Sequence, residues 1–79
     1  MNMKIYETSD FHLAITLCTM GFKLTFVNKA DSKRYVFEFE DSPEIQPLIE
    51  QYFRGELRLD PRLVLINAKL LKDRMFEKI

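Results

Sequence analysis

Glycine occurs twice, cysteine once, histidine once and tryptophan not at all. Each shortage closes off some chemistry or some means of support. A single cysteine, Cys18, allows no disulfide within the chain, and a lone thiol fits a reducing cytoplasm. One histidine and one cysteine at no ligand spacing offer no metal centre. Two glycines cannot build a phosphate-cradling loop, and Gly21 and Gly55 both stand where helices end. No apolar run approaches the ~18 residues that span a bilayer. The first ten residues, MNMKIYETSD, lack the apolar stretch of a leader peptide. The expectation is a cytoplasmic protein with no membrane contact and no cofactor.

What the chain does have is material for a core. Its 79 residues are 47% hydrophobic and include seven Phe and three Tyr. That length makes one domain, residues 1–79. A domain this short hides only about 60% of its unfolded surface. With disulfides and metals excluded, a dense core or a second copy must supply the stability.

Charge balances overall, with 12 basic and 12 acidic residues, but it is unevenly placed. Residues 31–60 hold eight acids and four basic residues, whereas 61–79 hold five basic residues and two acids. Solvated helix faces commonly carry such an imbalance. The sharper alternative is a basic helix that meets an anion, or the acidic middle of a second copy.

Periodicity gives the elements. A short strand is expected over Met3–Glu7. Thr8, Ser9 and Asp10 are all N-cap types, and Asp10–Met20 follows with helical spacing. Phe11, Leu13, Ala14, Ile15, Leu17, Cys18 and Met20 make its apolar arc, and His12, Thr16 and Thr19 its polar face. Gly21 ends it. FKLTFVNK and KRYVFEFE then alternate with period two around a turn centred on Asp31 and Ser32. That centre places Phe26 opposite Phe37 and Leu24 opposite Phe39 on the apolar face. Glu38 then lies opposite Thr25, and Glu40 opposite Lys23, on the outer face.

The stretch FEFEDSPEI brings Glu38, Glu40, Asp41 and Glu44 together and looks more like chemistry than any other. Acid–base work needs two groups converging on one cleft. Here two carboxylates point off an outer sheet face and two serve a helix start. Ser42 is expected to cap the second helix with Pro43 at N1, or Asp41 to cap it with Glu44 closing a capping box. Ile45, Leu48, Ile49, Tyr52 and Phe53 form its apolar arc, and Gly55 ends it. Leu57 and Leu59 alternate, so a very short strand is possible there. Asp60 and Pro61 then start a third helix running to about Lys78, with Leu59 placed to staple against Val64.

The other reactive types read as structural. His12 has no nucleophile at a useful local spacing. Cys18 lies on the apolar arc and reads as a buried, inert thiol. No catalytic, cofactor or metal residue is assigned, no small-molecule ligand is evident, and the expectation is that the chain is not an enzyme.

The last helix is the most informative segment. Val64, Leu65, Ala68, Leu71, Met75, Phe76 and Ile79 form a broad apolar side, interrupted by Lys72. Leu63, Ile66 and Leu70 form a second stripe on the opposite side. A helix in one small domain usually needs a single stripe. Either the second helix or the first strand wraps round to cover the extra one, or it is an interaction surface, most simply in a two-fold homodimer.

Nucleic acid is the competing partner. A sheet that binds it displays aromatics interleaved with cations on its open face. Here the aromatics fall on the core face, while the outer face offers Lys23, Lys29 and Arg34 beside Glu38 and Glu40. Weak binding is all that pattern supports. A helix-turn-helix is conceivable at Gly55, but ELRLD is longer than the usual turn.

YETSDFHLAITLCTMGF, FEFEDSPEI and the G-x-L-R-L-D-P joint together resemble a family of small prokaryotic and phage-associated proteins, a domain of unknown function. The likeness runs from Tyr6 to Phe76 and is carried by caps, turns and core positions. It implies no activity, cofactor or catalytic residue, and by association only it implies surroundings concerned with nucleic acid.

The expected fold is α+β in the order β-α-β-β-α-α, a small sheet with an antiparallel hairpin and helices packed on one face. The expected function is a non-enzymatic, self-associating interaction module, a homodimer held through Leu63, Ile66 and Leu70. The alternative is a weak nucleic-acid-binding accessory protein using Lys23, Lys29 and Arg34.

Overall fold

A computed structural model of the chain describes residues 4–31 and 33–76. The element order is β1 (Ile5–Thr8), α1 (Phe11–Thr19), β2 (Leu24–Asp31), β3 (Arg34–Glu40), α2 (Ile45–Phe53) and α3 (Pro61–Met75). This is the expected α+β order. Met3, Ser32, Lys78 and Ile79, which entered the expected strand start, turn and last helix, lie outside the described residues. Residues 56–60, where a very short strand was possible, form no strand.

The three strands make one antiparallel sheet in the order β1-β3-β2. The central strand β3 sends Phe37 and Phe39 inward, at 1% and 0% exposure. Tyr6 and Leu24 flank Phe39 from the two edge strands. The core is completed by Leu13, Ala14, Ile15 and Leu17 of α1, Ile45, Leu48 and Ile49 of α2, and Leu71 of α3. Helix α1 packs against β1 and both other helices, and α3 packs against α1 and β2.

Local chemistry sets the helix ends. Asp10 is the N-cap of α1, and its Oδ1 accepts from the Leu13 N–H at 3.1 Å. At the other end Gly21 has φ +95°, its N–H donates to the Cys18 carbonyl at 3.1 Å, and the Phe22 N–H donates to the Leu17 carbonyl at 3.0 Å. Those two bonds are a Schellman motif, which needs the left-handed residue that glycine supplies. Helix α2 ends in the same way at Gly55, φ +70°, with bonds from Gly55 to Tyr52 and from Glu56 to Gln51. Asp60 caps α3, accepting from the Arg62 N–H at 2.9 Å, and Pro61 follows as expected.

Two expectations are corrected. The first is the hairpin register. Leu24 lies opposite Phe39 as expected, but Phe26 then lies opposite Glu38 and Val27 opposite Phe37. Thr25 is an extra residue, a β-bulge, and its hydroxyl donates to the Glu38 carbonyl at 3.0 Å. A one-residue slip turns every later side chain to the other face. Phe26 therefore stands on the open face at 53% exposure, and Val27 takes its place inside. A second irregularity between Lys29 and Asp31 moves the turn one residue along, so that Asp31 faces Arg34. There the Lys33 N–H donates to Asp31 Oδ1 at 2.9 Å.

The second correction is the start of α2. Neither Ser42 nor Asp41 caps it. The helix begins at Ile45 with Glu44 in the cap position and no side-chain hydrogen bond. Pro47 explains the delay. A helix entered at Pro43 would need the Pro47 N–H to bond the Pro43 carbonyl, and proline has no N–H and a ring that clashes there. Starting at Ile45 puts Pro47 among the first-turn positions, whose N–H groups have no helical partner in any case.

Ser42 Oγ is buried with no hydrogen-bond partner among the described residues. Replacing Ser42 with Ala should leave the melting temperature unchanged or raise it, because an unmatched buried hydroxyl costs about 1–3 kcal/mol. Replacing Asp10 with Ala should instead cost about 0.5–2 kcal/mol, the worth of a working cap. Thermal melts of the two variants check the contrast.

Candidate interaction surface

Helix α3 has one anchored side. Leu71 is 2% exposed, and Val64, Ala68 and Met75 pack against the core beside it. These positions recur every three or four residues and face α1 and β2. The broader apolar side expected from sequence is narrower in fact. Leu65 is 70% exposed and Phe76 66%, although the Phe76 ring still meets Tyr35 edge-on at 6.1 Å. With α3 supported from one direction, side chains at the margin of the contact arc reach solvent.

The second stripe is open. Leu63, Ile66 and Leu70 are 47%, 54% and 55% exposed, and neither the second helix nor the first strand covers them. Asn67, which sequence reasoning missed, sits between the stripe and the anchored side. Its Nδ2 donates to Thr19 Oγ1 at 3.2 Å and to the Leu63 carbonyl at 3.0 Å. It thereby ties α3 to the end of α1. A lone amide between two apolar stripes was the available signal. Thr19 in turn donates to the Ile15 carbonyl at 2.8 Å. The next residue, Met20, is 43% exposed and adds apolar surface near this end of α1.

Beside Leu70 the stripe runs into a cleft of ≈ 340 Å³ between α1, β2 and α3. Cys18, Leu24, Leu70 and Leu71 line it, with Asn67, Asp73 and Arg74 as its polar members. Cys18 is half-buried, and burial pushes its thiol pKa up, opposed by the nearby Arg74 charge. A raised pKa means less thiolate and lower reactivity. Alkylation by iodoacetamide at pH 8 should therefore run several-fold slower than for free cysteine. Equal rates would show an exposed, ordinary thiol.

The remaining candidate residues are scattered. His12 is exposed, with its ring 6.0 Å from that of Phe11, and its carbonyl accepts from the Thr16 hydroxyl. Thr16 is only 7% exposed, so the expected polar face of α1 is partly buried, and that intrahelical bond makes the burial tolerable. Lys29 lies opposite Tyr35 and so belongs to the inner side of the sheet, not the outer side expected of it. Arg34 is 4.0 Å from Asp31. Lys23 is beside Glu40, whose N–H donates to its carbonyl, at the far end of β3 from Arg34. Six residues of strand separate those ends, about 20 Å. Lys23, Lys29 and Arg34 thus form no common patch.

The carboxylates do not converge either. Glu38 faces Glu7 on one side and Phe26 on the other, and Glu40 faces Ile5. Among the described residues no group of three His, Cys, Asp or Glu side chains could hold a metal ion. No described helix is long and apolar enough to cross a membrane. Like charges directly opposite in a sheet repel mildly. Replacing Glu38 with Gln should therefore leave stability unchanged or raise it by up to about 1 kcal/mol. A clear loss in a urea melt would mean that the carboxylate has a partner that it lacks here.

The family model of DUF5659, a domain of unknown function, matches residues 3–77, and the chain belongs to that family. The match spans the Tyr6–Phe76 likeness and says nothing of a prokaryotic or phage setting. No curated protein and no solved structure matches the chain.

Proposed function

We propose that this member of a family of unknown function is a non-enzymatic interaction module that associates with itself through α3, in the reducing cytoplasm that its lone thiol suits. The observation that carries the proposal is the open stripe. Leu63, Ile66 and Leu70 lie together on one side of a helix whose other side is anchored by Leu71. Burying one such aliphatic side chain is worth ~1.5–3 kcal/mol before association costs. Three together are comparable with the net stability that a core of this size supplies.

Binding to nucleic acid is the weaker reading. Lys23, Lys29 and Arg34 do not share a face. A salt-dependent mobility shift with DNA or RNA, lost on replacing Lys23 and Arg34, would restore it.

Light scattering decides between a monomer of 9.5 kDa and a species of twice that mass. The parent should be dimeric at micromolar concentration. Replacing Ile66 with Glu should give monomers. Replacing Leu65 with Glu should leave the dimer intact, because Leu65 is more exposed still but lies off the stripe. A monomeric parent, or an Ile66→Glu variant that stays dimeric, overturns the proposal.

A further inference from the structure

We propose that the cleft beside Leu70 is a binding site for a free α-amino acid with an apolar side chain, whose carboxylate meets Arg74 and whose ammonium meets Asp73. This goes beyond self-association and does not depend on it.

The cleft measures ≈ 340 Å³ and is bounded by the end of α1, the start of β2 and the second half of α3. That is the small end of the ~300–1,000 Å³ typical of ligand pockets, so its occupant is small. Leu71 is its deepest member at 2% exposure, and Cys18, Leu24 and Leu70 give it apolar walls. Such walls suit a short hydrocarbon or thioether side chain.

Three polar side chains complete the lining, and each sets a requirement. Asn67 has both Nδ2 hydrogens engaged, with Thr19 Oγ1 and the Leu63 carbonyl, so only its Oδ1 is left, as an acceptor. Asp73 is a second acceptor and carries charge, whereas Arg74 offers donors only. The Arg74 charge acts on the Cys18 thiol, which places the guanidinium on the cleft side of α3. Asp73 and Arg74 are both exposed at the mouth. They do not neutralise each other, and neither belongs to an ion pair with any described residue.

That combination selects among ligand classes. An apolar acid meets Arg74 but brings its carboxylate beside Asp73. An apolar amine meets Asp73 and Asn67 but sets its charge beside Arg74. A neutral apolar molecule covers all three polar groups and leaves them without partners. A zwitterion with both charged groups on one carbon, beside one apolar side chain, matches the three polar groups and the walls together. Leucine and methionine have that structure. The lining comes from positions 18, 24 and 67–74, so no local sequence pattern marks the site. Ion pairs at a solvated rim contribute little, and the expected Kd is roughly millimolar.

Amide NMR titration of the isotope-labelled chain tests the site. L-Leucine and L-methionine are added up to about 20 mM, well above the expected Kd. At least one should give saturable shifts centred on Cys18, Leu24, Leu70 and Leu71, and should slow the alkylation of Cys18 by iodoacetamide. Isocaproate, which lacks the ammonium, and isoamylamine, which lacks the carboxylate, should each bind at least about fivefold more weakly. Glycine, with no apolar side chain, should not bind. Arg74→Gln and Asp73→Asn should each weaken binding by roughly three- to tenfold, with the rest of the amide spectrum unchanged. No saturable shift with either amino acid overturns the proposal. Binding of isocaproate or isoamylamine as tight as that of leucine also overturns it, as does unaltered affinity in both charge variants.

Discussion

Strand β3 is hydrogen-bonded along both edges, and it sends two phenylalanines, Phe37 and Phe39, to one side. A sheet of three strands gives the helices one face to cover, and these two rings are the centre of that face. Ala14 is fully buried in α1, and a side chain that small lets a helix sit close to its neighbours. Every other apolar contact is arranged around this pair. Helix α3 arrives last in the chain and finds most of the face taken. Of its fifteen residues Leu71 alone is buried. Leu63, Leu65, Ile66 and Leu70 are open because there is no more home core to receive them, not because they are displaced.

Much of the fold was legible because punctuation and periodicity agree. Asp10 and Asp60 cap helices where the pattern turns helical, and Gly21 and Gly55 end helices where the apolar spacing stops. The hairpin register was legible only as far as Leu24. A bulge leaves no mark in an alternating pattern, since Phe22, Leu24 and Phe26 alternate whether or not Thr25 is paired. What selects the bulge is tertiary. It puts Val27 rather than Phe26 against Phe37, and the Thr25 hydroxyl takes up the Glu38 carbonyl. The α2 start was misread for the opposite reason. DSPE is a strong local signal, and one missing N–H at Pro47 overrides it from four residues away.

The position of the stripe on its helix was more legible than the register of the sheet, for a physical reason. A stripe on an isolated helix depends only on the helix, and Leu63, Ile66 and Leu70 occupy one side of α3 wherever the helix is placed. The other side depended on packing, so Leu65 and Phe76 could not be assigned from the sequence. Cations on strands depend on register, and the same bulge that exposes Phe26 moves Lys29 to the side of Tyr35. The four carboxylates of FEFEDSPEI lie close in sequence and diverge in space. Glu38 and Glu40 share the outer face of β3 but stand opposite Glu7 and Ile5, while Asp41 and Glu44 lie beyond the strand end.

The proposed pairing would connect the exposed stripe to the stability of the domain. The anchored side of α3 is held by four apolar residues and by the Asn67 bond to Thr19. A helix held so lightly belongs to the part of a structure that opens most easily. A partner that binds only the docked helix adds its binding free energy to the docking, and stability then rises with protein concentration. The same residues would hold the helix down and hold two copies together. On this reading the stripe serves a core too small to hold its last helix unaided, and a substitution there should appear as a change in folding as well as in assembly.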